Sequence, residues 1–158
     1  MTEEQQRNEV VLREMFAAFE RHDYAQADVH LTADNQVIGS TTSTLGPTVC
    51  STMTERARML DESYPEWKVT LRDVVAAPDG QSLVGILVTS LQRLDAGGYG
   101  ALTGAIYHFR DGLICRVVAF GSADAALRRA GLTPDDVSFD PLRPQLASAV
   151  LRVRMGRI

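Results

Sequence analysis

The sequence is poor in the residues that build metal centres and covalent cross-links. Its two cysteines, Cys50 and Cys115, lie in unrelated segments with no CxxC spacing, which argues against a disulfide framework or a zinc knuckle. The three histidines, His22, His30 and His108, form no HxH, HxxxH or HExxH pattern, so no metal is expected. Gly97, Gly98 and Gly100 match neither a dinucleotide fingerprint nor a P-loop, and there is no GxSxG elbow, so no cofactor is expected either. Basic charge is also in deficit. With 16 basic against 20 acidic residues the net charge is -4, which leaves no cationic footprint for a nucleic-acid backbone. The longest apolar stretch, Leu83 to Leu91, is interrupted by Gly85, Thr89 and Ser90 and has half the length of a membrane helix. The N-terminus opens with Glu3 and Glu4 in place of a cationic and apolar leader, so a cytoplasmic protein without a membrane partner is expected.

What is present fits one soluble domain: 158 residues, 45% hydrophobic and 23% charged. Val11, Leu12, Met15, Phe16 and Phe19 recur at helical spacing, and Thr2 with Gln5 forms a capping box, which predicts an amphipathic first helix. Asp23 caps a short second helix, and Gln36 to Ser40 suits a short strand. Gly46-Pro47 is expected to start a third helix carrying Val49, Met53, Ala57, Leu60 and Tyr64 on one stripe. Beyond Pro65 the period drops to two, and turn signals at Pro78-Asp79-Gly80, Asp95-Ala96-Gly97-Gly98 and Asp111-Gly112 divide the chain into four successive strands. Ser122 caps a last helix that Gly131 ends. The domain is expected to span residues 1–132, followed by an extension over 133–158. Both faces of the Leu83 to Leu91 strand are apolar, which predicts a homodimer.

Three helices around one strand, then a four-stranded meander and a short helix, is the order of the nuclear transport factor 2-like superfamily. Asp111 to Leu132, DGLICRVVAFGSADAALRRAGL, resembles its SnoaL-like polyketide cyclase branch, as do Glu62 to Val75, ESYPEWKVTLRDVV, and the glycine at Gly46. The resemblance implies an α+β fold, a cone-shaped curved antiparallel sheet covered by three N-terminal helices, with a mostly apolar pocket for a small hydrophobic molecule. It also implies an enzyme of bacterial secondary metabolism or antibiotic biosynthesis, a cyclase or isomerase acting on a polyketide-like or polycyclic carbonyl compound. A noncatalytic binding or dimerisation module of the same fold is the alternative, because fold does not dictate chemistry. The carboxylate that catalytic members carry at the end of the last strand is replaced by Ser122. The ketosteroid isomerase base, oxyanion-hole Asp and Tyr fall at Ser40, Ala105 and Met15. A hydroxyl without its own activator does not replace a carboxylate base.

Other residues therefore become the candidates. A regular register from the Asp111-Gly112 hairpin puts Tyr107 opposite Arg116 on the face that holds Phe109, Phe120 and Ser122, so Tyr107 and Arg116 are candidate oxyanion stabilisers. A bulge in the last strand would shift the parity past Arg116. In the competing reading Arg116 extends its stem to the rim or solvent and Tyr107 is a core residue with a satisfied hydroxyl. Asp73, on the alternation of Trp67, Val69 and Leu71, is the candidate base, desolvated if it faces inward and ordinary if it ends the strand. Phe16, Met53, Trp67, Phe109, Phe120 and Ser122 are candidate ligand contacts, with core packing or, for Ser122, helix capping as the competing role.

Overall fold

In a computed structural model of the chain the described residues are 1–93 and 96–137, and of 92–99 only the backbone where it is assigned. Helix α1 (Glu3–Glu20) has the expected capping box between Thr2 and Gln5 and buries Leu12, Met15, Phe16 and Phe19. Two buried amides on α1 tie it to a distant turn: Gln5 Nε2 donates to the carbonyls of Ala77 (2.8 Å) and Ser82 (3.1 Å), and Asn8 Nδ2 donates to that of Gln81 (3.2 Å). Helix α2 (Tyr24–Asp28) is capped by Asp23. Strand β1 (Leu31–Gly39) is longer than its sequence signal. The third helix does not begin at Pro47. Val49 and Cys50 form a two-residue strand, β2, against Ile38 and Val37, and α3 (Met53–Ser63) starts afterwards with Thr52 as its cap.

The four expected strands follow as β3 (Glu66–Ala76), β4 (Leu83–Arg93), β5 (Ala96–Arg110) and β6 (Leu113–Phe120), all paired antiparallel in sequence. Asp111 (φ 53°) and Gly112 (φ 77°) both take left-handed backbone in the tight β5–β6 turn, which is why a DG pair marks it. Strand β1 adds to β6 in parallel, giving one mixed, curved, open sheet in the order β2-β1-β6-β5-β4-β3. Among the described residues no helix is long and apolar enough to cross a membrane.

The sheet separates two cores. Its inner face packs against α1, α2 and α3 through Leu12, Phe16, Phe19, Met53, Leu60, Leu87 and Tyr107. Its outer face packs Val84, Ile86, Leu102 and Ile106 against Ala123, Ala126 and Leu127 of helix α4 (Ala123–Arg129) and against Val137, which follows a 3-10 turn at Pro134–Asp136. The apolar outer side of β4, from which a homodimer was expected, is thus covered by the chain itself. Leu94, Asp95 and the extension from 138 onward lie outside the described residues.

Two β-bulges decide which side chains reach which core. In β3 the register with β4 shifts between Leu71 and Asp73, at Arg72. In β6 it shifts between Ile114 and Arg116, at Cys115, so that Arg116 pairs with His108 and Val117 with Tyr107. One extra residue inverts the facing of everything beyond it.

Candidate functional site

The inner face encloses a cavity of about 60 Å³ between the sheet and helices α1 and α3. Phe16, Phe19, Val37, Met53, Leu60 and Leu87 give it an apolar wall, and Ser43, Thr44, Thr89, Thr103 and Tyr107 supply hydroxyls. Thr89 Oγ1 and Thr103 Oγ1 satisfy each other at 2.9 Å, and Ser43 Oγ donates to the Gly46 carbonyl at 2.8 Å. The free space is well below the roughly 300 to 1,000 Å³ of ordinary ligand pockets, so a ring system enters only when covering side chains move. Met53, unbranched and at the start of α3, is the most adaptable of them.

Among the described residues, the cavity's one charged wall residue is Arg56 of α3, only 8% exposed. Its Nη1 donates to Thr48 Oγ1 at 3.2 Å. Among the described residues no carboxylate lies within ion-pair distance of it, and none lines the cavity. Burial lowers its pKa, with partial relief from Cys50 and Tyr107. Tyr107, 2% exposed, is pushed well above the ordinary tyrosine range by burial, which outweighs the opposite pull of Arg56. At neutral pH it is therefore a phenol. A desolvated guanidinium with a phenolic donor on the same wall can hold an anionic or electron-rich oxygen, and it cannot remove a proton.

Of the residues singled out from the sequence, Tyr107, Phe16, Met53 and Phe120 line this cavity. Phe109 packs against the inner core without forming its wall. Trp67 stacks on Tyr24 (ring centroids 6.4 Å) and lies tilted against Phe19 (5.4 Å), and its Nε1 donates to Asp61 at 2.6 Å, so it braces the helices from outside the cavity. Ser122 takes the capping role: its Oγ accepts from the Ala125 amide at 3.1 Å.

Two expectations are corrected. Arg116 does not join Tyr107, because the bulge at Cys115 turns it to the outer face beside His108. Asp73 does not reach the cavity, because the bulge at Arg72 pairs it with Ile86, whose side chain belongs to the outer core. The cation that sequence reasoning missed is Arg56. Its signal was present: it lies three residues after Met53 and four before Leu60, on the buried stripe of α3.

No protein-family model matches the chain, and no curated protein matches it. Solved structures do. An NTF2-like protein from Burkholderia thailandensis superposes with a TM-score of 0.62 at 15% identity, covering 78% of this chain and 96% of that one. TerC, crystallised with polyporic acid, gives 0.61 at 13% identity over 72% of this chain and 90% of its own. A candidate polyketide cyclase from Xanthomonas campestris pv. campestris gives 0.55 at 20% identity over 73% and 90%. Helices α1, α2 and α3 on the inner face of a curved mixed sheet, a cavity between sheet and helices, and these superpositions agree: the chain has the nuclear transport factor 2-like fold.

Proposed function

We propose that the protein binds a small, largely apolar molecule through an acidic or enolic oxygen held by Arg56 in the inner cavity. The observation that carries this reading is the buried guanidinium with no carboxylate partner among the described residues. A charge taken out of water is costly unless paired, so a site of this kind favours an anionic group that completes the pair. The apolar wall selects the remainder of the ligand. The structural neighbour crystallised with polyporic acid supports a small-molecule ligand for this fold.

A thermal-shift comparison tests it. An aromatic carboxylic acid should raise the Tm of the wild type, its methyl ester should not, and R56M should abolish the difference. Equal shifts by acid and ester, or an undiminished acid response in R56M, would overturn the assignment.

A second reading, a SnoaL-like cyclase or isomerase acting on a polyketide-like carbonyl compound, draws on Arg56 and the Tyr107 phenol lining one cavity and on the neighbouring candidate polyketide cyclase. Here the two donors would stabilise an enolate, and R56M and Y107F would each lower turnover by on the order of a hundredfold. The absence of any Asp, Glu or His from the cavity wall among the described residues favours binding over proton abstraction.

A further inference from the structure

The bulge at Cys115 places Arg116 in a second concavity, on the outer face beside the end of α4. This cleft of about 370 Å³ is larger than the inner cavity and different in kind. Ile106, Val118, Ala77 and Ala130 give it apolar lining, and its functional groups are Asp79, Ser82, His108, Arg116 and Arg129. Asp79, Ser82 and His108 are connected. Asp79 Oδ1 accepts from the amides of Gln81 (2.9 Å) and Ser82 (2.7 Å), and Oδ2 accepts from Ser82 Oγ at 2.6 Å. Ser82 Oγ lies 3.0 Å from His108 Nδ1.

A serine hydroxyl has one proton, and the short contact to a carboxylate takes it. His108 Nδ1–H must then donate to Ser82 Oγ, which leaves Nε2 as an unprotonated acceptor. The chain Asp79, Ser82, His108 thus fixes a tautomer, and α1 holds its turn in place through Gln5. Partial burial and Arg116 hold His108 below the ordinary histidine range, with Asp79 opposing them. The charged or titratable groups lining the cleft with it are Asp79 on the β3–β4 turn, Arg116 on β6 and Arg129 on α4. Neither arginine has a carboxylate within ion-pair distance among the described residues; the neighbouring Arg128 is the one that pairs with Asp124, at 2.8 Å.

Two guanidiniums without a carboxylate partner among the described residues, and an acceptor imidazole, fit an oxyanion that can share a proton. We propose that this outer cleft binds the phosphoryl group of a small phosphomonoester, with Arg116 and Arg129 on its oxygens and His108 Nε2 sharing its second proton. A carboxylate or a sulfate ester has no such proton near neutral pH, whereas a phosphomonoester titrates near pH 6. The cleft's volume and the apolar Ile106 and Val118 accommodate an organic ester group beyond the phosphate itself. The proposal is independent of the inner cavity.

Calorimetry with phenyl phosphate, phenyl sulfate, benzoate and inorganic phosphate tests it on the full chain. Phenyl phosphate should bind saturably, at least tenfold tighter than the other three, with proton uptake seen as a dependence of the heat on buffer ionisation. R116Q and R129Q are exposed changes, and each should weaken it tenfold or more, with folding checked by circular dichroism. H108Q should remove the proton uptake. Absence of saturable binding by phenyl phosphate overturns the proposal, as does equal binding of phenyl sulfate or benzoate. Inorganic phosphate binding as tightly as phenyl phosphate overturns the ester assignment. Loss of binding in R56M with R116Q unaffected would put the ligand in the inner cavity and overturn it as well.

Discussion

Arg56 of α3 and Tyr107 of β5 share the wall of the inner cavity, and the guanidinium's charge opposes, without overcoming, the burial that keeps the Tyr107 hydroxyl protonated. The two residues sit where helix and sheet meet, so their charge states and packing are linked.

R56M should not destabilise the protein. Among the described residues the desolvated guanidinium has a hydrogen bond to Thr48 and no ion pair, and exchanging such a charge for a side chain of similar volume is neutral or stabilising, by up to about 1–4 kcal/mol. Urea unfolding of wild type and R56M measures it. A loss above about 2 kcal/mol would show that Arg56 serves the fold and not a ligand.

Gly85 makes room for Tyr107. A Cβ at Gly85 would lie 2.9 Å from Tyr107 Cε2 and 3.4 Å from Leu71 Cδ1, so G85A should cost about 1–3 kcal/mol through overpacking. The loss should shrink when Tyr107 is shortened to Leu in the same chain, because the two sites are in contact. Additive losses in the double mutant would show that the ring is not what Gly85 accommodates.

Stability should fall toward both ends of the pH range for identifiable reasons. His108 has a lowered pKa when folded, so the unfolded chain binds its proton first, and stability declines as pH falls below about 6.5. Asp79 is raised by partial burial but held lower by its bonds to Ser82 and Gln81, and its contribution is lost at more acid pH, below about 4. Tyr107 has a raised pKa, so the unfolded chain releases its proton first, and stability declines as pH rises above about 10. Unfolding curves across pH should flatten near 6 in H108Q and above 10 in Y107F. Unchanged profiles would contradict both assignments.

S122A should cost about 1 kcal/mol by removing the cap of α4, with ligand binding in the inner cavity unaltered. Denaturation and binding on one preparation separate the two effects. Lost binding at unchanged stability would make Ser122 a ligand contact.

What the sequence by itself determined is what short stretches of chain decide. The Thr2–Gln5 capping box, the Asp111-Gly112 turn, the Ser122 cap and the four period-two strands depend on neighbours a few residues apart, and each is in the structure. The inward placement of Tyr107, Phe16 and Met53 follows from the same periodicities. Tertiary structure decided the rest. Pro47 could have opened a helix, but Val49 and Cys50 found a partner in β1, some ten residues earlier, and pairing with it displaced the helix start to Met53. Arg72 and Cys115 became bulges through the register of two whole strands against their neighbours, a condition no local pattern carries. Those two insertions sent Asp73 and Arg116 to the outer face. Arg56 stood on the apolar stripe of α3 all along, but a charge on a helix reads as solvent-facing until the sheet that buries it is in place. Side-chain facing in a sheet has a period of two, so one extra residue fixed by distant pairing inverts chemistry that the sequence alone assigns to the other side.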